Sequence, residues 1–465
     1  MKLIKQPLLF NMNPVSKTIA EKPWARWLVL VLIGFTISVN YYFYDTLSPL
    51  KPILQKTLNF NSTDFGWLSS AYSIPNTFLF MSIIGGAILD KIGIRRTGLG
   101  FISFMVLGAF LTAYGASDYF RNGGLFFNAL NSFWPTASPE FKMMLLGRVF
   151  FGLGAETSIV LASKVIVKWF KGKFLALAFG LKIGFGRLGT VAALNLTPGL
   201  TQNETSVNLA LWVATILLLI GLLAFIIYSV MDVKFDKEQN IKASKDSSEV
   251  EKFKLNDLLK LLGNKSFLFV ALLCVTFYSA AFPFMQYAPD FFYNKFGLSL
   301  QESSSITSIM PFATAIVTPI IGFFVDKKGK NITLMIFGSL IISVVHLSFA
   351  LTYLPPYAGM ILLGIAFSLV PAAMWPTVVK LVDEKRIGSA YGLMYSIQNI
   401  GLWGFPILAG IILDKTNKPD SEVLNYTWTM IMFAFLGIFG LIFSLLLKKA
   451  DKKDGYRIDN PTITN

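Results

Sequence analysis

Long apolar runs alternate with short polar breaks along most of the chain. Runs such as Trp27 to Tyr44 and Leu209 to Met231 can each cross a bilayer, which takes ~20 residues. The pattern predicts twelve spans, at about 25–47, 66–89, 97–117, 142–168, 173–199, 209–231, 265–292, 303–325, 331–353, 356–381, 386–413 and 425–448. Lipid offers no water to backbone polar groups, so each span must be a helix. The most polar internal stretch, Asp232 to Gly263, divides the spans six and six. The expected organisation is a tail at 1–24, a six-helix half at 25–231, a linker at 232–264, a second half at 265–448 and a tail at 449–465. Within the linker, Lys254 to Leu262 has helical apolar spacing. It either lies along the membrane face or is a solvated linker with one helical turn.

Composition agrees with the pattern. The chain is 54% hydrophobic and 14% charged over 465 residues, against roughly 25% charged in soluble proteins. The expected class is therefore an all-α membrane protein. The net charge of +15 is not read as a nucleic-acid signal, because most of the bases flank apolar segments. With the N-terminus inside, the inner loops hold Lys91, Arg95, Arg96, Lys168, Lys171, Lys173, Lys327, Lys328, Lys330, Lys385 and Arg386. The outer loops hold few bases, such as Lys51, Lys56 and Lys295. This asymmetry predicts both ends on the cytoplasmic side. Met1 to Pro23 lacks a long apolar core with a cleavage site and reads as a cytosolic tail. The single cysteine, Cys274, allows no internal disulfide.

A short motif occurs twice between apolar runs. Gly86, Asp90 and Gly93, followed by Arg95 and Arg96, recur as Gly322, Asp326 and Gly329, followed by Lys330, 236 residues later. Such a turn needs glycine where helices meet closely, and an acid that pairs with bases or caps a helix. At a second offset of 212 residues, Gly152 matches Gly364 and Gly180 matches Gly392. The twice-repeated loop resembles the signature of the major facilitator superfamily of secondary transporters. The resemblance implies two pseudo-twofold-related halves of inverted three-helix repeats. It also gives Asp90, Arg95, Arg96, Asp326 and Lys330 a gating role.

Charges inside spans are costly and mark candidate sites. Glu156 in span four lies about 14 residues, or ~21 Å, from its outer end. Arg187 in span five lies about 14 residues from its inner end, at ~21 Å by the same rise. An acid and a base at one depth can hold the two ends of a zwitterion, or they can pair with each other and lock the helices. Lys182 and Lys164 either snorkel to the interface or make an inner vestibule positive. Arg148 is expected to support packing. Asp45 is expected near the hydrated outer end of span one, and His346 in a structural position in span nine. Asn40, Tyr41, Tyr44, Tyr278, Gln286, Tyr287, Trp375, Tyr395, Gln398 and Asn399 are candidates to line a cavity. Pro283, Pro371 and Pro376 are expected kinks.

A further segment is more specific. Gly147-Arg-Val-Phe-Phe-Gly-Leu-Gly-Ala-Glu156, Trp169-Phe-Lys-Gly-Lys173, Ala178-Phe-Gly-Leu-Lys182 and Gly186-Arg-Leu-Gly189 resemble, in order, the lysosomal dipeptide uniporters of that superfamily and their prokaryotic relatives. The resemblance implies that Glu156 and Arg187 hold the peptide termini. Lys164 and Lys182 depart from the uncharged polar residues expected there. No acid precedes Leu8-Leu9 at the spacing of a dileucine sorting signal, which favours a bacterial inner membrane.

The expected function is transport of small zwitterionic peptides by alternating access, by uniport or with protons. Neither a Walker loop nor a dinucleotide fingerprint is present, so pumping by ATP hydrolysis is not expected; an enzyme activity, a cofactor and a metal are not expected either. The expected partners are a small-molecule substrate, the lipid bilayer and, in the proton-coupled case, protons, with the protein acting as a monomer. One alternative is an organic-anion or sugar-acid carrier using Lys164, Lys182 and Arg187. Another is a non-transporting membrane sensor or scaffold, which the short tails disfavour.

Overall fold

A computed structural model of the chain describes residues 22–170, 174–238, 261–382, 387–418, 421 and 423–461. The N-terminal tail, most of the linker helix at Lys254–Leu262, and Lys171, Lys173, Lys385 and Arg386 lie outside them. Among the described residues the regular structure is entirely helical. Eleven helices are long and apolar enough to cross a membrane, and a bent pair makes a twelfth.

We label the spans α1 Pro23–Leu58, α2 Ser62–Leu79 with Met81–Ile92, α3 Ile94–Ala116, α4 Pro139–Phe170, α5 Leu175–Leu196 and α6 Asn208–Glu238. The second set is α7 Lys265–Phe296, α8 Leu300–Lys328, α9 Asn331–Leu351, α10 Pro356–Leu381, α11 Ile387–Thr416 and α12 Thr427–Asp454. Two short helices, Asp118–Arg121 and Phe127–Asn131, join α3 to α4. The apolar pattern had not predicted these.

The chain signals where helices start. Asn61 and Asp64 form a capping box at the head of α2, and Ser299 and Glu302 form another at the head of α8. The two pieces of α2 meet at 65°, where Phe80 is left-handed at φ 53°. Asn76 Oδ1 accepts from Ser82 N at 2.9 Å and from Ser82 Oγ at 2.6 Å. The asparagine thus satisfies the backbone amide that the break releases.

The packing is duplicated. α1 packs on α5 and α6, α2 on α4, and α3 on α4 and α6; α7 packs on α11 and α12, α8 on α10, and α9 on α10 and α12. Across the halves α1 meets α7, α2 meets α11 and α5 meets α8. The matched Gly152 and Gly364 do serve equivalent contacts: an added Cβ would lie 2.0 Å from Tyr72 O of α2 in one half and 2.7 Å from Ala313 of α8 in the other.

The loop motif works differently from expectation. Gly86 and Gly322 face open space, so neither marks a close helix crossing. The last glycines matter instead. Gly93 at φ 84° and Gly329 at φ 69° end the preceding helices in a conformation that L side chains avoid.

The halves are tied at the face opposite the basic loops. Lys51 Nζ sits 2.6 Å from Asp290 Oδ2, with both side chains sealed from solvent. Ser48 Oγ donates to Met285 O and Gln286 O at 2.9 and 3.1 Å. Asp414 of α11 accepts from Ser62 N, Thr63 N and Thr63 Oγ1 at 2.9, 2.7 and 2.6 Å. A carboxylate of one half therefore caps a helix of the other. Gly410 permits the approach, since a Cβ there would lie 2.2 Å from Ser62 O. At the basic face, no hydrogen bond or ion pair among the described residues joins the halves.

Candidate substrate-binding site

Glu156 on α4 and Arg187 on α5 are both partly buried. No ion pair within 4 Å joins them or gives either another partner among the described residues. The self-neutralising pair is therefore not formed. Each faces the second half instead. The Asn399 side chain of α11 neighbours the Glu156 carboxylate. The Arg187 guanidinium lies 5.4 Å from the Phe367 ring centre and 5.9 Å from that of Phe282. Tyr41 of α1 is near both charges and packs beside Gly186.

The second half supplies a linked aromatic wall. Tyr395 stacks on Trp375 at 4.7 Å, and Trp375 Nε1 donates to the Tyr278 hydroxyl at 3.0 Å. Tyr278 in turn stacks on Phe282 at 5.7 Å. Pro283 lies inside α7, and Pro371 and Pro376 lie inside α10. The arrangement is an acid and a base held apart and faced by flat apolar surface. It suits a molecule with charged ends and an uncharged middle. Among the described residues, no cluster of three or more His, Cys, Asp or Glu could hold a metal.

Other candidates are occupied elsewhere. Asn40 Nδ2 donates to Ser158 Oγ at 3.1 Å inside the first half. Tyr44 is buried against Tyr72 at 4.5 Å. Tyr287 is fully buried, and its hydroxyl lies 3.3 Å from Ser62 O of the first half as well as 2.8 Å from Pro406 O of its own, so it belongs to the seam between halves. Gln286 is 1% exposed and donates to Asp45 Oδ1 at 2.9 Å. Gln398 is buried near Cys274. These five do not join Glu156 and Arg187. Conversely, Phe282 and Phe367 were missed. Phe282 lies one turn from Tyr278 and Gln286 on the same helix, which is a usable signal, whereas a phenylalanine in an apolar run such as Phe367 reads as lipid-facing.

Three charges depart from expectation. Asp45 is 1% exposed and not hydrated, because the outer seam closes over it. Lys164 pairs with Asp90 of α2, so an acid at the foot of the neighbouring helix offsets its charge. Lys182 Nζ donates to Ser163 Oγ at 2.8 Å while staying partly exposed. Arg148 matches its expected packing role: fully buried, it donates to the carbonyls of Leu68, Phe43 and Tyr44. His346 is fully buried, with Nδ1 2.8 Å from Ile342 O.

Of the gating candidates, Arg95 reaches Asp232 at 3.3 Å and Asp236 at 3.0 Å. Lys168 sits 2.7 Å from both acids. Arg96 and Asp326 are exposed. Lys330 is exposed, and its backbone N donates to Asp459 O at 2.9 Å.

Comparison with known proteins shows the family. The family description "Major Facilitator Superfamily" matches residues 32–403. The chain belongs to the major facilitator superfamily. Within it, the chain is 33% identical over 404 residues to the lysosomal dipeptide transporter MFSD1 of Mus musculus, covering 84% of this chain and 80% of that one. It is 24% identical over 460 residues to the hexuronate transporter of Bacillus subtilis strain 168, covering 93% and 97%. Among solved structures, an inward-facing, occupied bacterial homologue of the human lysosomal transporter Spinster aligns with a TM-score of 0.69 at 16% identity, over 93% of this chain and 97% of that one. At that identity the likeness shows the superfamily fold alone.

Proposed function

We propose that this superfamily member carries small zwitterionic peptides by alternating access, with the halves rocking about the Glu156–Arg187 level. Glu156 takes the ammonium and Arg187 the carboxylate, while Tyr41, Asn399, Trp375 and Tyr278 surround the middle. The observation that carries the reading is the acid and base left unpaired in the membrane. Each unpaired charge there costs several kcal/mol, which a ligand of opposite ends would offset. Identity to the dipeptide transporter of Mus musculus supports it. The proposed setting is a bacterial inner membrane with both termini cytoplasmic, on the charge asymmetry of the loops. The halves at 25–231 and 265–448 are the moving bodies, with Asp90, Arg95, Arg96, Asp326 and Lys330 steadying the basic face between states.

A second reading has its own support. Lys182 stands near Arg187 on α5, and the hexuronate transporter is a full-length relative, so an organic anion such as a sugar acid is the competing cargo. A thermal-shift screen of the purified protein against dipeptides, free amino acids and sugar acids separates the two. Ligand that binds the folded state raises the melting temperature. Stabilisation by dipeptides supports the peptide reading, and stabilisation by sugar acids alone replaces it.

A further inference from the structure

Between α3 and α4 the chain carries an exposed apolar surface that neither the seam nor the proposed site uses. From Asn122 to Pro139 there is no charged side chain. Tyr119, Leu125, Phe126, Phe133 and Trp134 are each between 47 and 69% exposed. Phe126 and Trp134 hold left-handed backbone, at φ 70° and 51°. Aromatic residues avoid that conformation, and it persists only where the surroundings impose it.

The surroundings are the ends of four helices at the face opposite the basic loops. Lys142 of α4 donates to the carbonyls of Leu130 and Phe133, with its Nζ 4.9 Å from the Phe133 ring centre. Tyr114 of α3 donates its hydroxyl to Leu125 O at 3.2 Å. Arg121 Nη2 reaches Thr57 O of α1 at 3.4 Å, and Asn208 Nδ2 of α6 reaches Asp118 Oδ2 at 3.5 Å. Phe120 is fully buried, between Tyr114 at 5.2 Å and Phe127 at 5.5 Å. The segment is therefore fixed in place while its other large apolar side chains point away from the protein.

Lipid is the occupant that fits. The patch continues the lipid-facing ridge of α3, where Phe104, Leu107 and Phe110 are exposed at a spacing of one turn. Phe110 stacks on Tyr114 at 5.9 Å, and Tyr114 meets Tyr119 at 6.1 Å. Aromatic side chains favour the boundary between water and hydrocarbon. The stretch offers no charge to order a protein partner, and its amides are partly satisfied within it, as in Phe127 N to Gly124 O at 3.0 Å and Leu130 N to Phe126 O at 2.9 Å. Entry into the interface thus exposes few bare backbone groups to lipid.

We propose that the segment from Tyr119 to Trp134 is an interfacial anchor, with Leu125, Phe126, Phe133 and Trp134 inserted into the leaflet opposite the basic loops. The corresponding join between α9 and α10 is only Thr352 to Pro355, so the anchor holds one half alone. The inference is independent of the cargo.

The test is electron paramagnetic resonance in nanodiscs of phosphatidylethanolamine and phosphatidylglycerol. A nitroxide at Ala129→Cys, in a Cys274→Ser background, lies in the exposed short helix between the two aromatic pairs and leaves both intact. Power saturation compares its collisions with oxygen, which concentrates in lipid, and with a nickel chelate, which stays in water. The oxygen-to-nickel ratio should be severalfold higher than at Gln202→Cys, an exposed position in the α5–α6 loop. The double variant Phe126→Ser with Phe133→Ser should lower the Ala129 ratio toward the Gln202 value, while a label at Leu107→Cys on α3 keeps its lipid value and shows that the fold is retained. A ratio at Ala129 equal to that at Gln202 overturns the proposal, as does a ratio that the serine variant leaves unchanged. Shielding from both reagents would place a second copy of the chain on the patch and also overturns it.

Discussion

Glu156 and Arg187 are placed to treat the two ends of a cargo separately, and that separation can be measured. Glu156 has Asn399 beside it, whereas Arg187 has aromatic rings and, among the described residues, no acid within 4 Å. Removing one partner of a desolvated charge pair typically costs 2–5 kcal/mol, or about 30-fold and upward in affinity. In proteoliposomes, Glu156→Gln should weaken uptake of free dipeptides by about that factor and barely change uptake of N-acetylated ones. Arg187→Ala should do the same for free against C-amidated peptides. Equal losses on capped and free peptides would count against recognition of the ends. An organic-anion carrier gives another pattern, in which Arg187→Ala abolishes uptake and Glu156→Gln leaves it unchanged.

At the scale of the helix, two carboxylates hold elements in place at opposite faces. Asp90, at the foot of α2, pairs with Lys164 of α4 inside one half. Both side chains are about a third exposed, so the pair itself adds little stability. Its effect should lie in how α2 pivots. Asp90→Asn is expected to slow peptide uptake several-fold at equal expression, with affinity from the opposite side nearly intact. Unchanged uptake rates would refute this. Asp414 acts across the halves by capping α2. Loss of a cap costs ~0.5–2 kcal/mol. With spin labels at Lys56→Cys and Lys418→Cys, which line the cleft over the seam from the two halves, Asp414→Ala should accordingly shift the label distance toward the open population by ~2- to 30-fold. An unaltered distance distribution would show that the other seam contacts suffice.

Across the molecule, the hydrogen bonds and the buried Lys51–Asp290 pair that join the halves among the described residues cluster at the face opposite the basic loops. Tyr426, the N-cap residue of α12, adds its hydroxyl to Asp290, so the seam ties in the head of a third helix. Accessibility should follow that asymmetry. A membrane-impermeant thiol reagent should label Lys182→Cys readily from the basic face. Ser48→Cys should stay protected from both sides until cargo turns the protein over. Labelling of Ser48→Cys at the same rate as Lys182→Cys, without substrate, would argue against a closed seam.

The sequence by itself determined the elements. The spans were legible because lipid forces each backbone to satisfy its own polar groups within a helix, so length and hydropathy decide existence. Their repeat was legible through Asp90 and Asp326, and the family through the segment from Gly147 to Gly189. Glu156 and Arg187 stood out because charge in an apolar run is rare.

What the sequence left open depended on which side of a helix faces what. Helices buried nearly all round carry no clear polar stripe, so Asn40, packed inside the first half, and the seam residues Gln286 and Tyr287 looked the same as cavity residues. Phe282 and Phe367 looked like lipid contacts until the aromatic wall assembled opposite Arg187. Asp45 read as hydrated from its distance to the end of a span. The tertiary structure alone buried it, because hydration at a helix end depends on whether the other half covers it.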